Sequence, residues 1–205
     1  VARYKPNSLF RSGENLYLNV SIGTNGGPYD YGDFSHGYFS AANYLVDALR
    51  QGDRPDLFVD TCIYPIVSNY RHAIELAIKH CVIVASQMLG RRDNLPTNHD
   101  LNASWKQLRD LEAESNSSWM PDEDRDFLSD VIRDFSVTDP IGVVFRYPED
   151  KKRNLQIDEF EFLNLQVLYD AMVHCRSILE ALDAKLGQMA EYASASSRST
   201  PYPTG

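Results

Sequence analysis

Arg71, Glu75 and Lys79 stand four residues apart in the run RHAIELAIKH. On a helix this spacing sets three charges on one face and allows two intrahelical ion pairs, Arg71 with Glu75 and Glu75 with Lys79. Two readings of the ladder stand: a solvated face turned away from the apolar seam, or the lining of a site for an anionic ligand or partner. A second group, NHDL, opens with Asn98. The positive end of a helix dipole disfavours a protonated His99 and favours an ionised Asp100, which also suits a simple helix start. The third group is FRYPED, Phe145 to Asp150. Arg146 is a permanent fork-shaped donor matched to carboxylate or phosphate, and Tyr147 offers a stacking face and one hydroxyl. The bland alternative is punctuation, because a residue before proline is pushed toward extended backbone and a helix can start after it.

Other candidates are thinner. Arg92 precedes His99 with six residues between them. His72 and His80 lie within a dense apolar helical pattern, where packing and surface roles are commoner than catalysis. No phosphate-cradling glycine loop, local Ser-His-Asp signature or His-Glu-X-X-His helix is found, so no cofactor is expected. Cys62, Cys81 and Cys175 are widely spaced within apolar helical patterns, as buried reduced thiols of a cytosolic protein would be. No Cys or His pair has the short loop spacing of a zinc site, so no metal is expected either.

The elements that must position these groups are helices. GYFSAANYLVDALRQ, from Gly37 to Gln51, has apolar residues at helical spacing and stops at Gly52. The next helix is expected from about Asp56 to Gly90, with Pro65 kinking it or ending a first segment. Beyond that proline, Val67, Tyr70, Ile74, Ala77, Cys81, Val84 and Met88 form a continuous seam. A third helix, capped by Thr97 or Asn98, runs to about Glu114, and a fourth starts at Pro121 and runs to about Phe135. The last is expected from about Asp158 to Tyr192, with Leu165, Leu168, Met172, Cys175, Leu179, Leu182, Leu186 and Met189 on its seam. Two long helices with matching seams imply the core pair of an all-α bundle, and a second chain could share the seam in a dimer. Ahead of it, SLFRSGENLYLNVSIG alternates well enough for a β-hairpin within an extension spanning residues 1–36. The bundle is then expected over 37–192, and SASSRSTPYPTG falls in a disordered tail over 193–205.

Taken in order, RHAIELAIKH, NHDLNASWKQL, FRYPED and a long helix with SILEAL resemble the HEPN superfamily of small helical domains, in its nucleotidyltransferase-associated branch. In that branch a helix similar to ELAIKH is followed by a His-Asp-Leu helix start, and an Arg-Tyr-Pro turn precedes the final helix. The resemblance covers about residues 60–190, and the segment from GYFSAANYLVDAL to IYPIVSNYRHAIEL also looks like an uncharacterised bacterial variant. It implies an up-and-down bundle of four or more helices, often a homodimer. Active members are metal-independent ribonucleases using Arg, four to six residues, then His at the start of the last helix. Others lack the pair and bind nucleotides or partner proteins, frequently beside a nucleotidyltransferase, in toxin–antitoxin or phage-defence settings.

At the corresponding place this chain reads RYPEDKKRNLQIDEF, and no histidine follows Arg146 until His174. RNA cleavage needs a base for the 2′-hydroxyl or a donor for the leaving oxygen, a task suited to a group titrating near neutrality. The expected pair is therefore missing, and the substitute with matching spacing is Arg92/His99. The resulting expectation is a non-catalytic binding module for a nucleotide, an RNA phosphate or a partner protein. Arg71, Lys79, His99, Arg146 and Tyr147 would line one pocket, with Glu75 and Asp150 orienting the arginines. The alternatives are a ribonuclease effector using Arg92 and His99, and a structural dimerisation module.

Composition agrees with a globular chain: 205 residues, 43% hydrophobic and 24% charged. A net charge of -9 argues against a broad nonspecific nucleic-acid surface while leaving room for a local basic site. No apolar run suits a membrane span and no signal peptide is evident, so a cytoplasmic protein without membrane contact is expected.

Overall fold

The computed structural model describes residues 9, 11–23, 27–52, 58–91, 99–155, 157 and 161–198. The chain divides into two units, Val1–Asp30 and Tyr31–Gly205.

In the first unit the expected hairpin does not form among the described residues. Leu16–Leu18 make a short 3-10 turn, with the Asn15 side chain accepting from the Tyr17 N–H. Asn19 closes a loop by exchanging two hydrogen bonds with the Gly13 backbone, at 2.8 and 3.1 Å. Asparagine side chains thus take backbone partners that a strand ladder would have used. Leu16, Tyr17, Leu18, Val20 and Ile22 are all exposed, so alternation in the sequence buries no face.

Among the described residues the second unit is an all-α bundle of five helices: α1 (Tyr31–Gln51), α2 (Val59–Met88), α3 (Leu101–Ser115), α4 (Asp122–Thr138) and α5 (Leu165–Arg198). Helix α2 is the hub, packing against α1, α3 and α5, while α3 also packs on α4. Its sequence explains the position. Ile66, Val67, Tyr70, Ala73, Ile74, Ile78, Cys81 and Val82 are buried and cover about half the circumference of the helix, a face broad enough to meet several neighbours.

Several boundaries differ from expectation. Helix α1 begins at Tyr31, six residues ahead of Gly37. Pro65 ends nothing: α2 continues through it. The cap of α3 is Asp100, whose side chain accepts from the Ala103 N–H at 3.1 Å. The expected caps Thr97 and Asn98 lie outside the described residues. Helix α5 starts seven residues after Asp158, where Asn164 Oδ1 accepts from the N–H groups of Gln166 and Val167. It continues to Arg198, so 193–198 are helical and not tail; 199–205 lie outside the described residues.

The α3–α4 connection is tied by a second charged cluster. Glu112 accepts from the Trp119 N–H at 2.7 Å and from Arg125 at 3.1 Å, and also pairs with Arg109. Trp119 is buried here, and Trp105 donates its indole N–H to Ser129 of α4 at 3.1 Å. Cys81 and Cys175 are buried free thiols, and Cys62 is half-buried. Burial pushes the Cys175 thiol up to about 12, so it is not a nucleophile at neutral pH.

Candidate functional site

The Arg71–Glu75–Lys79 ladder is neither a solvated face nor an open lining. Arg71 is 2% exposed, Glu75 1% and Lys79 8%. The start of α3 and the turn after α4 cover it. Arg71 Nε donates to the Asp139 carbonyl at 2.7 Å, and Nη2 donates to the carbonyls of His99 (2.7 Å) and Pro140 (3.1 Å). Nη1 donates to Glu75 Oε2 at 3.3 Å. One planar fork therefore joins α2, the residue preceding the α3 cap, and the C-terminal end of α4. Carbonyls just past a helix C-terminus lack intrahelical donors and sit at the negative end of the dipole, so a guanidinium is well placed there.

The turn that accepts Arg71 reads Asp-Pro-Ile-Gly, and sequence reasoning passed over it. Asp139 Oδ1 accepts from the N–H groups of Val143 (2.7 Å) and Val144 (3.0 Å). Its buried Oδ2 has no hydrogen-bond partner and lies 3.7 Å from Arg71 Nε. Gly142 has φ +72°, and a Cβ there would come within 2.6 Å of Arg71 Nη1. The legible signal was the Asp-Pro-X-Gly composition, which marks a tight turn, although nothing local says what the turn closes over.

Glu75 is the electrostatic centre. Its Oε1 accepts from Lys79 at 2.8 Å and lies 2.9 Å from His99 Nδ1; His72 Nδ1 is 3.9 Å from Oε2. Burial alone would raise this carboxyl, but hydrogen bonds from His72, Lys79 and His99 and the Lys79 charge hold it well below the usual carboxylate range. An ionised carboxylate only accepts, so His99 Nδ1 carries the proton and donates. The other nitrogen of the ring is left as its acceptor when the ring is neutral, and the His99 side chain is 57% exposed.

FRYPED is a turn within the α4–α5 connection and not the entrance to α5. Phe145 enters the core, Arg146 donates its backbone N–H to Val143, and the Arg146 and Tyr147 side chains are exposed. Arg146 is close enough to be felt at Arg71. Burial lowers the Arg71 pKa, Asp139 and Glu75 pull it back up, and the Arg146 charge adds to the lowering. Among the described residues Asp150 pairs with no arginine side chain. It organises its own loop, accepting from the N–H groups of Lys152 (2.7 Å) and Asn154 (2.9 Å) and from Asn154 Nδ2 (2.9 Å).

The structure thus gathers Arg71, Glu75, Lys79 and His99 into one cluster with Arg146 in electrostatic range, and sets Asp150 to another task. Arg92, the expected partner of His99, lies outside the described residues. The two histidines of α2 have other neighbours: besides Glu75, His72 meets the Tyr38 ring edge-on at 4.5 Å, and His80 Nε2 is 3.0 Å from Asp183 of α5. His80 also lines a cleft of 230 Å3 between α1, α2 and α5. Among the described residues no cluster of His, Cys, Asp and Glu could hold a metal ion, and no helix is long and apolar enough to cross a membrane.

Compared with known proteins, the chain matches no family model, no curated protein and no solved structure.

Proposed function

We propose that this chain is a non-catalytic, HEPN-like binding module. It recognises a nucleotide or RNA phosphate, or a partner bearing such a group, at the face carrying His99, Arg146 and Tyr147. In the setting the resemblance implies, it works as a homodimer beside a nucleotidyltransferase or another component of a toxin–antitoxin or phage-defence system. The observation that carries this reading is the fate of Arg71: its four hydrogen bonds all go to groups of the protein itself. A guanidinium so committed cannot also grip a phosphate. The ladder is then a buried frame, and in this reading recognition falls to exposed Arg146, whose charge is felt at Arg71, and to the exposed Tyr147 that follows it in the chain.

A second reading has one observation in its favour. The buried Glu75 fixes the Nδ1–H form of a half-exposed His99, which is how a carboxylate prepares an imidazole as general base. One experiment separates the two. Full-length protein is titrated with a fluorescent single-stranded RNA, and the RNA is then run on a denaturing gel. The binding reading expects intact RNA and a Kd weakened about tenfold by Arg146→Ala, as loss of one charge-assisted contact predicts. Cleavage that disappears in His99→Ala would replace it with the ribonuclease reading. Unchanged binding in Arg146→Ala and in Tyr147→Ala would remove the phosphate site altogether.

A further inference from the structure

A second cavity of the bundle is unrelated to the ladder. A groove of 690 Å3 opens where the first turns of α2, the last turns of α4 and the start of α5 converge, and it shares no lining residue with the Arg71 cluster. From α2, Val59, Ile63 and Val67 line it at intervals of four, forming one ridge; Phe135 of α4 and Met172 of α5 line it as well. Phe162, also on its lining, is 92% exposed. An apolar opening of this kind on a soluble surface marks an interaction site more often than chance.

Its charge identifies the kind of occupant. The charged residues among the described lining are Asp60, Asp134 and Glu161, all acidic. A second copy of this chain meeting the groove through the same face would set these carboxylates against their own images, on a molecule already at -9. An anionic amphiphile meets the same repulsion. A ridge at four-residue spacing is the complement of another helix, whose side chains pack between such ridges.

We propose that this groove receives an amphipathic helix of a partner protein, its apolar stripe on the Val59–Ile63–Val67 ridge and its lysines or arginines against Asp60, Asp134 and Glu161. The reading holds whether or not the His99 face binds an anion.

The probes are two synthetic peptides of about 18 residues, long enough for a helix to form on binding. Both carry leucines at helical spacing; one is flanked by lysines and the other by glutamates. Titrated into the full chain and followed by anisotropy, the lysine peptide is expected to bind about tenfold tighter, as three rim charge pairs would give, with the margin shrinking at high salt. Asp134→Lys with Glu161→Lys should reverse the preference. These sites avoid Asp60, which stabilises the first turn of α2. Ala171→Trp, at a half-buried lining position, should block both peptides while circular dichroism stays unchanged. Equal affinity for the two peptides, or no saturable binding of either, overturns the proposal. So does a dimer in sedimentation that Ala171→Trp dissociates, because a second copy would then fill the groove.

Discussion

Gly142 shows how little a single atom needs to move for the frame to fail. Its positive φ is costly for any L side chain, and the space where a Cβ would sit is taken by the Arg71 guanidinium. That guanidinium cannot swing aside without abandoning three carbonyls. Gly142→Ala is therefore expected to cost at least about 3 kcal/mol, the left-handed strain plus broken buried hydrogen bonds. Gly90 is the control, with φ +69° and open space around it. Gly90→Ala should cost about 1 kcal/mol, and equal losses in urea unfolding would contradict the close-contact argument. At this scale the spacing showed that Arg71, Glu75 and Lys79 share a helix face, but not that the face is buried or that His99 meets Glu75 there. Charge spacing reports a shared helix face; it cannot report that the chain returns some 68 residues later to cover that face. The signal was weak: the ladder starts at the edge of the broad apolar arc of α2, where only the tertiary fold decides whether a side chain is covered.

Helix existence was legible because the seams are long and regular, whereas the ends were set by side-chain caps that compete over a few residues. Asp158 and Asn164 both have the chemistry to start α5, and the seam itself begins at Leu165. Asn164 wins, supplying its side-chain oxygen to two N–H groups. Asn164→Ala should remove about 1 kcal/mol and lower the melting temperature by about 2–4 °C. An unchanged melting curve would place the true start of α5 elsewhere. The N-terminal hairpin failed for a related reason. Period-2 alternation is a signal only when one face has something to cover it, and here the apolar residues remain exposed.

For the molecule as a whole, acid is the revealing perturbant. Glu75 is ionised among Arg71, Lys79, His72 and His99, and its folded pKa lies below its unfolded one. The stability it contributes is therefore complete above the ordinary carboxylate value of about 4.3 and drains away as pH falls below it. Glu75→Gln should cost about 3–5 kcal/mol at neutral pH, leaving buried cations uncompensated. Its stability should then depend less on pH than that of the parent below about pH 5, where the parent carries the extra acid sensitivity. Parallel acid-unfolding curves would mean that Glu75 is not the group that titrates. The two tryptophans add a property of a different sort. Trp105 is in α3 and Trp119 in the α3–α4 connection, and α1, α2 and α5 contain none. Intrinsic fluorescence is thus a local reporter of the α3–α4 pair, while far-ultraviolet dichroism averages over all five helices. The separation between the two signals in one melt reads directly how far α3 and α4 can loosen while the hub helix stays folded.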